Sequence, residues 1–155
     1  MKFRFPISLL IFVFLLTICA IEAEAQNRSA DTRSGKEIYV QAMQVYKAGD
    51  VERAIDLLQR ASDLSYVEAH YTLGMILLGV DGGEPQPGRG IALLERAARL
   101  GHISSIIALA RVFIQGEHVE QNVDRGLVLY NQAIAAGSTA AAMELAGHYF
   151  SGDAI

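Results

Sequence analysis

One self-similarity constrains what this chain can fold into more than any other feature. The pattern Ala69-x-x-x-Leu73-Gly74-x-x-Leu77 returns as Ser105-x-x-x-Leu109-Ala110-x-x-Phe113-x-x-Gly116. It returns again as Ala141-x-x-x-Leu145-Ala146-x-x-Tyr149-x-x-Gly152, with starts 36 residues apart in both steps. A diverged earlier copy carries Ile38, Ala42, Met43, Tyr46 and Gly49 at matching positions. Second segments alternate with these, at Val51–Leu64, Gly88–Leu100 and Asp124–Ala136, and each opens on a basic–small pair: Arg53-Ala54, Arg89-Gly90 and Arg125-Gly126. The next copy begins 16 residues after the basic residue in all three cases. The first unit is 31 residues long, so its missing five residues fall in the loop between its two helices, where length changes are tolerated. A fixed period of roughly 20–50 residues is the signature of a stacked repeat architecture.

Apolar residues recur at helical spacing in every segment, so each unit reads as a helix–turn–helix. The small residue at position six of the first helices (Gly74, Ala110, Ala146) permits close approach of a neighbour, and the large residues at positions five and nine fill the space beside it. Such a pair cannot bury its apolar face alone, and stacking on neighbours creates a continuous core. Gly49, Gly101, Gly116, Gly137 and Gly152 fall where helices stop. The fold class predicted is all-α, an α–α superhelix (solenoid) of about three and a half helix-turn-helix repeats, with units near 38–68, 69–104, 105–140 and a half unit at 141–155.

The run from Gly116-Glu117-His118 through Asp124-Arg125-Gly126 to Tyr130-Asn131-Gln132-Ala133 resembles the Sel-one-like repeat, a tetratricopeptide-related solenoid family. So does Arg89-Gly90-Ile91 through Ala97-Ala98-Arg99-Leu100-Gly101, while Tyr46 to Ile55 looks more like a tetratricopeptide repeat proper. The resemblance covers residues 37 to 152 and implies an extended binding surface. Leu93 and Leu129 stand where the family pattern has tryptophan. The disulfides of some secreted relatives have no counterpart here.

The ends add a second expectation. Lys2 and Arg4, the apolar run Ile7 to Ile21 and Ala23-Glu24-Ala25 follow the order of a secretory signal peptide cut after Ala25. That run of fifteen residues, apolar apart from Ser8 and Thr17, is short for a membrane span, which takes about 20. Export to a periplasmic or secreted location is therefore expected; an N-terminal membrane anchor is the alternative, and lipidation at Cys19 is disfavoured by the bulky Ile18. No stable membrane insertion is expected after cleavage. Residues 26–34 read as a flexible lead-in, with Ser34 and Glu37 as a capping box opening the first helix. The remaining chain has no cysteine, which removes disulfides and thiol chemistry alike, and keeps 11 basic against 15 acidic residues. That balance lacks the basic patch of a nucleic-acid binder.

Catalytic candidates are few. His70, His102, His118 and His148 occupy different repeat positions and show no zinc spacing. Ser104-Ser105 reads as helix capping, and Asp81-Gly82-Gly83-Glu84 lacks the ligand spacing of a calcium loop. No cofactor, metal or enzymatic activity is expected. A protein partner is expected instead, on the stripe made by positions three, seven and ten of the first helices. That stripe runs Val40, Gln44, Lys47, then Tyr71, Met75, Leu78, then Ile107, Arg111, Ile114, then Met143, Gly147, Phe150. Tyr71, Met75, Leu78, Ile107 and Ile114 are predicted to form an apolar groove with Arg111 as its polar anchor; the competing expectation is that tighter coiling buries them. The function expected is an exported scaffold or adaptor, with envelope regulation by family analogy. A cell-wall ligand-binding enzyme and a solenoid that self-associates through its C-terminal half repeat are the alternatives.

Overall fold

The structure, a computed structural model, describes residues 34–79, 85–117 and 119–152. The expected signal peptide (residues 1–25), residues 26–33 of the expected lead-in, Asp81 to Glu84 and His118 lie outside the described residues. Seven α-helices and no strand occur among the described residues. They are α1 (34–47), α2 (Val51–Asp63), α3 (Val67–Leu77), α4 (Pro87–Arg99), α5 (Ile103–Gln115), α6 (Val123–Ala135) and α7 (Thr139–Ser151). Ser34 is itself helical, so it is not the residue that caps α1. The first helices begin two residues before the repeat motif, at Val67, Ile103 and Thr139. None of the described helices is long and apolar enough to cross a membrane.

Local chemistry sets the helix ends. Asp50 and Asn122 accept from the backbone N–H of Arg53 and Arg125, three residues on, at 3.2 and 2.9 Å. Ser138 does the same for Ala141 at 3.2 Å. Each bond satisfies an amide that the first turn leaves without an intrahelical partner. Pro87 opens α4, where its missing N–H costs nothing. Gly116 and Gly152 close α5 and α7 in the left-handed conformation, which residues with a Cβ adopt only at a cost.

From α2 onward each helix packs on its successor. Ala42, Leu57, Leu58, Leu73 and Ile76 centre one apolar cluster across α1–α3, Leu78, Leu94, Leu109 and Phe113 a second across α3–α5, and Ile107, Ile114, Tyr130 and Ala141 a third across α5–α7. Ala98 and Leu129 touch both later clusters, so the core is a chain of overlapping patches along the stack.

Within a repeat the two helices come very close. A Cβ on Gly90 would lie 2.8 Å from the Gly74 carbonyl oxygen, and one on Gly126 would lie 2.9 Å from that of Ala110. Only glycine fits at either place. The second helix is also tied by backbone at its start, where the N–H of Gln86 donates to Leu77 at 2.7 Å and that of Asn122 to Phe113 at 2.8 Å. Successive second helices are linked by arginine: Arg89 Nη2 donates to Gln59 Oε1 at 3.2 Å and Arg125 Nη2 to Glu95 Oε1 at 2.9 Å.

Candidate binding surface

At Leu78 and Ile114, position ten of the first helix is covered rather than laid open. Leu78 is 3% exposed and Ile114 1% exposed, because the glycines of the following second helices let α4 and α6 close over them. The Cβ position of Gly90 lies 3.2 Å from Leu78 Cγ, and that of Gly126 is in contact with the Ile114 side chain. Ile107, at 8%, is buried in the third cluster. The sequence-predicted groove built on Leu78, Ile107 and Ile114 is therefore corrected: these three are core.

Tyr71 and Met75 of α3 and Arg111 of α5 remain half-buried. Between them lies a depression of about 160 Å³, walled by Met75 and Leu78 from α3 and by Ala108, Arg111, Val112 and Gln115 from α5, with Glu117 from the loop beyond. Its floor is apolar and its accessible groups are a guanidinium, an amide and a carboxylate. Tyr71 packs against His102, ring centroids 4.9 Å apart and planes tilted by 47°, and His102 Nδ1 lies 2.9 Å from Ser105 Oγ. Burial, opposed by Glu68, lowers the His102 pKa. Ser105 has no exposed surface and ties the start of α5 to His102.

Arg111 extends the face to α7. Its Nη2 donates to both Glu144 carboxylate oxygens at 3.1 Å, and about two-fifths of each side chain stays open (42% and 37%). Glu144 also accepts from the Tyr130 hydroxyl at 3.1 Å, and that oxygen lies 3.3 Å from His148 Nε2. Burial, and then the Glu144 carboxylate, push the Tyr130 phenol up to about 12, against the pull of Arg111. This network orders α7 against α5 and α6. Glu144 and Tyr130 were missed in the sequence because Arg111 and Glu144 stand 33 residues apart and no local motif joins them.

A second polar pair lies inside the first cluster. Ser62 Oγ and His70 Nδ1 are 2.6 Å apart, both side chains fully buried, and His70 Nε2 has no hydrogen-bond partner. Burial first, then Arg96, lower the His70 pKa, with Asp63 opposing. No group of three or more metal-ligating side chains occurs among the described residues.

The geometry defines a helix-pair solenoid with its first helices aligned along one face. The chain belongs to the Sel1 repeat family, whose repeat matches residues 23–66, 67–102 and 103–138. Among solved structures it is similar to a Sel1 repeat protein from Oxalobacter formigenes, at 21% identity and a TM-score of 0.60, over 82% of this chain. The chain spans about half (51%) of that protein's length, and a likeness at this identity bears on fold alone. No curated protein matches the chain.

Proposed function

We propose that this chain is a protein-interaction scaffold that takes a segment of a partner protein in the depression between α3 and α5. The observation that carries this reading is the depression itself: an apolar floor of Met75, Leu78 and Ala108 beside the polar groups of Arg111, Gln115 and Glu117. Binding sites combine apolar surface with a few polar groups that fix orientation in this way. Successive first helices place those groups on one face, as stacked repeats do for extended ligands. Export before acting, with an envelope or secreted partner, is the reading of the N-terminal sequence, and a non-enzymatic role that of the motif search.

The test is a crosslinked capture from envelope extract by residues 26–155, beside Met75→Glu and Arg111→Ala/Gln115→Ala variants. Both change half-buried or exposed positions, so the fold survives, as circular dichroism will verify. A protein captured by the parent and lost by both variants supports the reading. Capture unaffected by either places binding elsewhere.

A further inference from the structure

We infer that the cleft between α4 and α6 takes an acidic segment of a partner protein, seating an apolar side chain on its floor and a neighbouring aspartate or glutamate carboxylate on Arg99 and Arg125. The cleft shares no lining residue with the α3–α5 depression and does not rest on that reading. Its volume is about 390 Å³. Leu109 of α5 lies at its base and Leu129 of α6 beside it, with Glu95, Arg99, Arg125 and Gln132 around them. Arg125 is already positioned for an anion. Its guanidinium carbon lies 3.9 Å from the centre of the Phe113 ring, and Nη2 donates to Glu95 Oε1 at 2.9 Å. Ring and carboxylate together fix the planar guanidinium, while about half of the side chain (52%) stays open. Glu95 engages one of its five N–H donors. Arg99 is exposed and pairs with no carboxylate among the described residues.

Charge complementarity specifies the occupant. Acidic residues outnumber basic ones 17 to 13 in the whole sequence, yet α4 and α6 carry Arg89, Arg96, Arg99 and Arg125 against only Glu95 and Asp124. Arg111 in the other surface is different, because Glu144 takes up its charge through both oxygens. Stacking of the repeats does not demand Arg99. Asp63 stands at the same place in α2, ten residues after the basic residue of its basic–small pair. Within the cleft two guanidiniums face one carboxylate, so a single negative charge completes the balance. A carboxylate supplies that charge and matches the guanidinium fork. A phosphate brings a charge of about −1.5 to −2 and sets the excess beside Glu95. A flat anionic membrane would meet Glu95 at the rim without reaching Leu109, whereas a peptide side chain inserts. The exposed Gln132 amide lies in the same wall to hydrogen-bond the peptide backbone.

The test pans a displayed library of random peptides against the full chain, then titrates the fluorescein-labelled winners by anisotropy. Arg99→Asp and Arg125→Gln are the variants, with circular dichroism verifying both folds. Arg99→Asp installs the residue that α2 already carries at that place, so it keeps the result interpretable if Arg125→Gln unfolds. The expected outcome is a peptide class with aspartate or glutamate beside leucine, isoleucine or methionine. Its binding weakens at least tenfold with Arg99→Asp and fades as salt is added. A library without such a class, or acidic peptides that bind Arg99→Asp as well as the parent, overturns the proposal. So does tighter binding when phosphoserine replaces the glutamate, or Arg99-dependent binding to phosphatidylglycerol vesicles in place of peptide. Met75→Glu, in the other surface, retains the acidic class, so failure of the α3–α5 reading and failure of this one are distinguishable.

Discussion

Tyr130 of α6 donates its hydroxyl hydrogen to Glu144 of α7 across 3.1 Å, and none of the tyrosine side chain meets solvent. The ring fills the core between α5 and α7 while its polar tip reaches the one carboxylate that also holds Arg111. Packing and orientation of the last helix thus meet in a single side chain.

Tyr130→Phe separates those two roles. The ring stays and the hydrogen bond goes, so the loss is about 1 kcal/mol, the net value of a hydrogen bond whose acceptor keeps another donor. Tyr130→Ala removes the ring as well and costs about 3–5 kcal/mol, as for other buried aromatics cut to alanine. Urea unfolding followed at 222 nm checks both; equal losses would show that the ring contributes nothing.

Alkali probes the same group. The folded phenol titrates near 12 while an unfolded tyrosine titrates near 10. The folded state therefore holds its proton where the unfolded state has lost it. The stability contributed is complete below pH 10 and declines as pH rises toward 12. Tyrosinate absorbance at 295 nm in the folded protein should show a late-titrating component that Tyr130→Phe removes, while Tyr66, also raised chiefly by burial, remains in the variant.

Acid acts through His70. Its imidazole has a lowered pKa in the fold, chiefly through burial, so below pH 6.5 the unfolded chain takes up a proton that the folded chain resists. The contribution is present above pH 6.5 and is lost as pH falls toward the depressed folded value. The facing groups are Arg96, which strengthens the effect, and Asp63, which weakens it. A Ser62→Ala/His70→Leu double variant, which leaves no orphan polar atom, should lose much of the acid dependence between pH 7 and 5. Residual slope is expected from His102, whose pKa is lowered as well.

Two glycines should respond to alanine with opposite sign. At Gly126 the new methyl would lie 2.9 Å from the Ala110 carbonyl oxygen and against Ile114. Pushing α6 from α5 costs about 1–3 kcal/mol, the range for overpacking. At Gly147, mid-helix in α7 with nothing within 4 Å, the same change stabilises by about 0.5–1 kcal/mol through helix propensity. Urea midpoints of both single variants decide it.

The architecture was legible in the sequence because small and large residues alternate at fixed offsets, and that pattern directly encodes which helix faces must touch. The second helices appear within a residue of the expected spans, as Val51–Asp63, Pro87–Arg99 and Val123–Ala135. The candidate binding face was legible only in part. Helical spacing shows that Leu78 and Ile114 share a stripe with Met75 and Arg111, but not how far a neighbour reaches around the helix. That reach is set by Gly90 and Gly126, whose absent side chains bring α4 and α6 close enough to cover position ten. Arg89-Gly90 and Arg125-Gly126 were visible as pairs; the depth of their approach is a three-dimensional quantity. Glu144 escaped notice because its partners come from two other helices, α5 and α6.

The matching left-handed exits at Gly116 and Gly152, alike within 2° in both angles, also bear on how such a molecule lengthens over evolutionary time. A tandem duplication of one period would receive the chain at the same angle at which the original did. The new copy would meet its predecessor through glycine and alanine contacts already selected for fit, and only the two seams would need fresh adjustment. Changing the number of units is thus a smaller genetic step than redesigning any one of them, and the span of partner such a lineage can engage is adjustable by counting.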